Sequence, residues 1–496
     1  MTLDSRPSTL DSHGRPFFWL ALAVVFAAFF LANHDLLVSK AEAFTGTADE
    51  MEQQAAGGNT LRRLAFLSLA GLGVLGFVLP ARRRMEWRSP LVLLVLALAG
   101  WSVLSAGWSD MPSMTLRRVM VLSCLLLAAF GLVRQLSPRE WLHLAWIIPA
   151  AGLLIGLGAE LSLGTFRPWS ADYRFSGTLH PNTQGLSLAA MCFATFCLAR
   201  DRSSELGGRR SEVGGSSNGQ FVLRPPSSDI RPAGYLVLFA VGLLFLVLTK
   251  SRTSVAGVLV GVTLLVTLRT ASTWKWSLGL AALWAVSLAA ITVSLLNIDV
   301  EDQLTQMALM GRKEQAESLT GRMPIWTTLA DHVARRPLVG YGYDSFWTAD
   351  RIDTVSSELQ WGVREAHSAY LDTVLSVGLV GGLLLLAVVF VGLRTSSEQY
   401  LQSGHPLFGF QFAMLVFSLI NACTESGMTM PLFAPFLTAA SLLQSATVSA
   451  ARYAFQPDAV ADAASIRTDA GSVRHENGTD AACGLALNET WLRTSP

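Results

Sequence analysis

GRMPIWTTLADHVARRPLVGYGYDSFW (residues 321–347) and EAHSAYLDTVLSVGLVGG (residues 365–382) meet where a polar stretch gives way to a long apolar one. The first string mixes charges, aromatics and glycines. The second turns apolar soon after His367. A water-exposed segment therefore re-enters lipid here, with His367 at the boundary. Most of the remaining chain is built to sit in a bilayer.

The 496 residues are 51% hydrophobic and 15% charged, where a soluble domain carries about 25% charged residues. Apolar runs of roughly 20 residues recur, long enough to span a hydrocarbon core as helices. Twelve such spans are expected, near 17–33, 64–80, 90–107, 119–133, 141–163, 182–199, 234–249, 254–269, 276–296, 369–393, 406–422 and 430–448. Backbone groups in lipid must be satisfied internally, so these are helices. The fold class is an all-α polytopic membrane protein with about 12 transmembrane helices and a large external loop. The two spans flanking Lys250–Thr253 are close enough for a tight helical hairpin. The net charge of +1, without a basic patch interleaved with aromatics, gives no reason to expect a nucleic-acid partner. The five Cys form no CxxC pair and read as small packing residues.

Arg82, Arg83, Arg84 and Arg88, then Arg134 and Arg139, then the arginines of 200–232, then Arg269 and Lys275 follow alternate spans. That places these loops in the cytoplasm by the positive-inside rule. Arg62, Arg63, Arg117 and Arg118 fall against the bias. Both termini are inside, with residues 1–16 a cytoplasmic N-terminus and 17–448 the transmembrane domain. Residues 200–232, rich in Gly, Ser, Arg and Pro, read as a flexible cytoplasmic loop. Residues 449–496 read as a disordered cytoplasmic tail. Residues 298–366 form the large external loop. There, Ile325, Leu329 and Val333 recur at helical spacing, and Pro337, Gly340 and Gly342 end the helix.

Several side chains could carry chemistry. His367 is either an interface residue with a polar tip or a general base, the usual role of an imidazole near neutral pKa. Gly378, Gly381 and Gly382, beyond it, would let another helix approach closely. Lys250 and Arg252 occupy a short external turn, either snorkelling to the interface or gripping phosphate. Arg174 lies in YRFSGTLHPNTQG on the same side, where Asn182 is either the N-cap of the next span or a substrate ligand. Arg322 and Trp326 suit a sugar, although Trp326 could equally anchor the loop on the bilayer surface. Arg335, Arg336, Asp344 and Asp350 read as solvated. Glu160 and Glu425 lie near external membrane edges, where either could pair with an arginine. No metal is expected.

SRTSVAG, GRMPIW…RRPLVGYGYDSF and HSAYLDTVLSVGLVGG, in this order, resemble the O-antigen ligase and Wzy-type polysaccharide polymerase superfamily over roughly residues 90–445. The His-Ser-x9-Gly-x-x-Gly pattern at His367, Ser368, Gly378 and Gly381 is similar to the ligase motif. The loop around Arg174 is similar to that of exopolysaccharide polymerases. The resemblance implies a GT-C-like, inverting, metal-independent glycosyltransferase of the bacterial inner membrane, without cofactor, its active site facing the periplasm. The implied donor is a glycan on undecaprenyl diphosphate. The acceptor is another lipid-linked glycan or lipid A core, and membrane lipid surrounds both. A chain-length regulator or other polysaccharide-assembly proteins are the implied protein partners. Arg252 and Arg174 would hold the diphosphate, His367 would activate the acceptor, and Lys250, Arg322, Trp326, Asn182 and Ser368 would bind substrate. Polymerase is the leading reading and ligase the alternative, with protein O-glycosylation a third activity. A transporter or flippase would need charges at mid-bilayer depth, whereas the conspicuous charges here cluster at one face.

Overall fold

Prolines and polar caps punctuate the apolar sequence into helices. The computed structural model describes residues 10–34, 60–170, 173–201, 230–268, 318–359 and 362–454. Thirteen α-helices occur among them: α1 Leu10–Asn33, α2 Thr60–Val78, α3 Pro90–Leu104, α4 Pro112–Gln135, α5 Pro138–Ser162, α6 Pro181–Ala199, α7 Pro232–Leu248, α8 Arg252–Leu268, α9 Ser318–Arg335, α10 Ala349–Leu359, α11 Ala369–Ser403, α12 Pro406–Ala422 and α13 Phe433–Ala454. Proline at the first helical position costs no hydrogen bond, because that N–H has no partner within the helix. At α5 the Ser137 side chain accepts from the Glu140 N–H while Glu140 accepts from the Ser137 N–H, a reciprocal cap.

Eleven of the twelve expected spans coincide with these helices, and the span at 276–296 lies outside the described residues. Among the described residues six helices are long and apolar enough to cross a membrane by length and composition, and α7, α8 and α12 are shorter apolar helices. Large apolar side chains face outward along them: Leu154, Leu383 and Phe390 are 68%, 65% and 67% exposed. Such a surface would be an aggregation liability in water and is the ordinary lipid-facing surface of a membrane protein. The chain is thus a multi-pass membrane protein whose regular structure, among the described residues, is helical. Residues through Ser449 cluster as one unit. The loop expected over 200–232 and the tail over 449–496 lie almost wholly outside the described residues.

Helix α2 packs tightly on α4, where a Cβ at Gly131 would sit 2.2 Å from the Gly73 carbonyl oxygen. Only glycine permits that approach, so the small residues set the interhelical distance. Helices α7 and α8 are joined by three residues, Thr249–Ser251, but α7 lies chiefly against α6 and α8 chiefly against α12, and the two touch each other little. The expected tight hairpin is therefore splayed, its two helices packing on different neighbours. Inside the bundle the Trp141 indole N–H donates to Gln444 Oε1 at 2.8 Å and Gln444 Nε2 donates to the Leu136 carbonyl at 2.8 Å. These bonds satisfy buried polar groups that would otherwise be costly.

The polar segment ahead of α11 folds as a small helical cap. Ile325 and Leu329 of α9 are fully buried, in a cluster with Tyr341, Phe346 and Val355. Helix α9 thus has the apolar face that the spacing predicts. Arg336, expected to be solvated, pairs with Asp110 at 2.7 Å, and Arg351 pairs with the same carboxylate. The Arg351 guanidinium also lies 4.5 Å from the Tyr341 ring centroid. Asp344, likewise expected to be solvated, pairs with Arg118 at 3.2 Å while staying partly exposed. Asp110 and Arg118 belong to the α3–α4 region, so the cap is tied to the membrane helices by charge.

Helix α11 is broken. Gly378 has φ 68° and ψ −174° within it. Around the break, the N–H groups of Tyr341 and Gly342 donate to the carbonyls of Leu375 and Ser376 at 2.8 and 2.9 Å. The N–H groups of Leu379 and Val380 donate to the carbonyls of Pro337 and Leu338 at 2.8 and 3.3 Å. Two indoles complete the joint, Trp101 Nε1 on the Val377 carbonyl at 2.9 Å and Trp108 Nε1 on the Val339 carbonyl at 3.0 Å. Backbone freed at membrane depth must find partners within the protein. Here the loop after α9 supplies them. The glycines of this motif were expected to admit another helix. At Gly378 it is the non-helical loop around Leu338 that comes close.

Candidate functional site

Four connections meet at one end of the bundle: the loop before α6, the α7–α8 turn, the segment before α11 and the α12–α13 loop. The first is built by Glu160. Its buried carboxylate accepts the Ser176 and Gly177 N–H groups at 3.1 and 2.8 Å and the Tyr173 hydroxyl. The Phe175 N–H donates to the Leu248 carbonyl at 2.8 Å. Glu160 thus fixes the loop that carries Arg174.

Arg174 Nε donates to the Thr249 carbonyl at 3.1 Å, and its Nη2 donates to Asn182 Oδ1 at 2.9 Å. Asn182 Nδ2 donates onward to Glu425 Oε1 at 2.9 Å. The same oxygen receives Arg322 Nη2 at 3.1 Å. Glu425 is therefore the hub joining Arg174, Asn182 and Arg322. The cap of α6 is His180, whose side chain accepts the Asn182 N–H, so the Asn182 side chain is left for the network. That corrects the expectation of Asn182 as the cap.

His367 lies beside this hub. The Ala369 N–H donates to the Glu425 backbone carbonyl at 3.2 Å, and the Ser368 hydroxyl donates to the Ala422 carbonyl at 3.3 Å. His367 Nδ1 is 3.3 Å from Glu365 Oε1. Burial, followed by the positive charge of Arg322, holds the His367 imidazole below its ordinary value near 6.5. Burial raises the Glu425 carboxyl, opposed by Arg322 and by the Asn182 hydrogen bond. Burial likewise raises Glu365.

Lys250, with φ 51°, and Arg252, the first residue of α8, flank the turn whose Thr249 carbonyl binds Arg174. Thr253 Oγ1 accepts from Asn421 Nδ2 at 3.5 Å, four residues before Glu425. Both cations thus belong to the same end of the bundle. The Trp326 indole N–H donates to the Ala366 carbonyl at 2.9 Å, so its polar edge is engaged with the segment before α11. All eight nominated residues fall on this end.

Sequence reasoning underrated Glu425, naming it only as a partner for some arginine. Its signal was a lone carboxylate in a short connection between two apolar spans. Glu365 was passed over as one charge in a polar string. The arrangement brings three guanidinium groups, Arg174, Arg252 and Arg322, and one ammonium, Lys250, to the end of the bundle that carries the His367 imidazole. Among the described residues no group of three or more His, Cys, Asp or Glu is placed to hold a metal ion.

Residues 237–386 match the family model Wzy_C, described as O-antigen ligase. The matched range takes in Lys250, Arg252, Arg322, Trp326, His367 and Ser368. Arg174 and Asn182 precede it, and Glu425 follows it. No curated protein matches the chain. Over those residues the chain is similar to the O-antigen ligase family.

Proposed function

We propose that this chain, similar over residues 237–386 to the O-antigen ligase family, transfers a glycan from a lipid diphosphate to an acceptor hydroxyl at the outer face of the inner membrane. The observation that carries the reading is the Glu425 hub, which gathers Arg174, Asn182 and Arg322 beside His367. A lipid-linked donor exposes its reactive carbon only at the membrane edge, and these residues converge at one end of the helices.

In the proposed step the acceptor oxygen attacks the anomeric carbon opposite the diphosphate. The carbon–oxygen bond to the diphosphate breaks, and its electron pair stays on the departing oxygen. Configuration inverts. Arg174, Lys250, Arg252 and Arg322 stabilise the charge that develops on the leaving group, an effect strengthened next to low-dielectric lipid. In the proposed step His367 Nδ1, which lies 3.3 Å from Glu365 Oε1, carries the ring proton, and His367 Nε2 carries the lone pair that takes the hydroxyl proton. A depressed pKa keeps that nitrogen unprotonated at neutral pH, and such a base contributes roughly 10²–10⁴-fold. Ser368, bonded to Ala422, and Trp326, bonded to Ala366, support the acceptor side.

The acceptor we propose is another lipid-linked repeat, making the chain a polysaccharide polymerase, on the strength of the YRFSGTLHPNTQG loop around Arg174. The ligase reading, with lipid A core as acceptor, is favoured by the description of the matched family. Purified protein mixed with an undecaprenyl-diphosphate oligosaccharide separates them. A mass ladder on the lipid carrier supports polymerisation. Transfer only after lipid A core is added supports ligation. Neither product from folded protein overturns glycosyl transfer. Arg252→Ala is expected to abolish transfer and His367→Ala to lower it by roughly 10²–10⁴-fold, each with membrane insertion intact.

A further inference from the structure

The residue preceding His367, Ala366, is held at both of its backbone polar groups. The Ala366 N–H donates to Asp372 Oδ1 at 3.2 Å and to Oδ2 at 3.4 Å. The Ala366 carbonyl accepts the Trp326 indole N–H at 2.9 Å. Asp372 belongs to the first turn of α11 and Trp326 to α9, so two separate helices fix the two successive peptide groups that flank Ala366. Asp372 Oδ1 is itself fixed by the Trp347 indole N–H at 2.9 Å. On the far side of His367, Ser368 and Ala369 are bonded to the α12–α13 region, as described above.

Between these anchors His367 adopts φ 49°. A side chain rarely occupies that left-handed region, and such residues persist only where the surroundings over-determine them. A return to the ordinary helical φ near −63° would turn the residue by about 110° about its N–Cα bond. The imidazole would then point elsewhere. A carboxylate in a first helical turn is commonplace, since it meets unpaired N–H groups and the positive end of the helix. Asp372 instead reaches back past the start of α11 to the N–H of Ala366, the residue before the histidine. The carbonyl of the same residue, in the peptide that adjoins His367, is taken by an indole, which no helix-capping role requires.

We propose that Asp372 and Trp326 are positioning residues that hold the His367 backbone left-handed and so aim its imidazole at the acceptor hydroxyl. The inference rests on the reading of His367 as the base. It also assigns Trp326 a role other than sugar binding. The clamp couples the extramembrane cap to the reaction, because α9 and the segment before α10 each contribute one indole.

The test uses the full chain in nanodiscs with a lipid-diphosphate oligosaccharide. Asp372→Ala removes both acceptor oxygens, Asp372→Asn keeps one, and Trp326→Phe removes only the indole N–H. Asp372→Ala and Trp326→Phe are expected to lower kcat on the order of 10²-fold, the scale of a misplaced catalytic group. The donor KM should stay within about twofold, because the residues that bind diphosphate are untouched. Asp372→Asn should retain most of the activity. In a His367→Ala background neither change should add its loss, since residues acting through one group are non-additive. In parallel, diethyl pyrocarbonate labelling read peptide by peptide should change at His367 and not at His405. An undiminished loss in the His367→Ala background, or unaltered His367 labelling in folded Asp372→Ala and Trp326→Phe, would overturn the proposal. If His367→Ala transfers at the wild-type rate, the base reading has failed, and the labelling arm still decides whether the clamp sets the ring.

Discussion

Alanine at Gly378 is expected to destabilise the protein and stop transfer through one joint. With φ 68° and ψ −174°, the position lies where only glycine is at ease, and a side chain there costs about 1–3 kcal/mol. The added Cβ would stand 2.1 Å from the Leu338 carbonyl oxygen and 2.3 Å from its carbon. Backbone atoms cannot rotate aside as a flexible side chain can, so the loop after α9 must back away. The bonds from Leu379 to Pro337 and from Val380 to Leu338 then fail, at about 1 kcal/mol each. The total is about 3–5 kcal/mol, a large share of the stability of an ordinary domain. Thermal unfolding in detergent, followed by tryptophan fluorescence, would measure it, since Trp101 and Trp108 flank the break. Gly382→Ala is the control, because its Cβ meets Val374 at an ordinary 3.6 Å. If Gly378→Ala unfolds and transfers like the wild type, the broken-helix account is wrong.

Three further outcomes are expected. Because burial and Arg322 hold His367 below its ordinary value near 6.5, its neutral form persists above that pH. Transfer should be flat there and decline only as pH falls below 6.5, and an acid limb at or above that value would count against His367 as the base. Asp110→Ala removes the shared partner of Arg336 and Arg351. It should cost on the order of 1 kcal/mol, as for partly exposed pairs, and speed proteolysis between Pro337 and Arg351; an unchanged cleavage rate would show the cap is held without it. His34, stacked on Phe30 and bonded to Thr178, is held by burial at about 4, below its ordinary 6.5. The unfolded chain takes up that proton first, so stability should fall as pH drops from 6.5 toward 4. His34→Gln should flatten that part of the pH–stability curve.

Much of this molecule was legible from one dimension. Lipid forces helices wherever an apolar run is long enough, so spans such as 119–133 and 406–422 could be read directly. The apolar spacing of Ile325 and Leu329 likewise gave a helix outside the membrane, because a one-sided pattern has one way to bury itself. Residue chemistry and loop order nominated Arg174, Arg252, Arg322 and His367, since alternate connections of a helical bundle emerge at the same end. Tertiary structure decided the rest. Glu425 became a hub only when α12 and α13 carried it to Asn182 and Arg322, partners 243 and 103 residues away in the chain. Gly378 broke α11 only because a loop from another segment could satisfy the freed backbone groups. Asp110 and Arg336, each plausible alone as a solvated charge, met through packing. Local pattern reports what a segment must bury. Which carboxylate, carbonyl or indole it meets depends on contacts between distant segments, and those are fixed only when the helices pack.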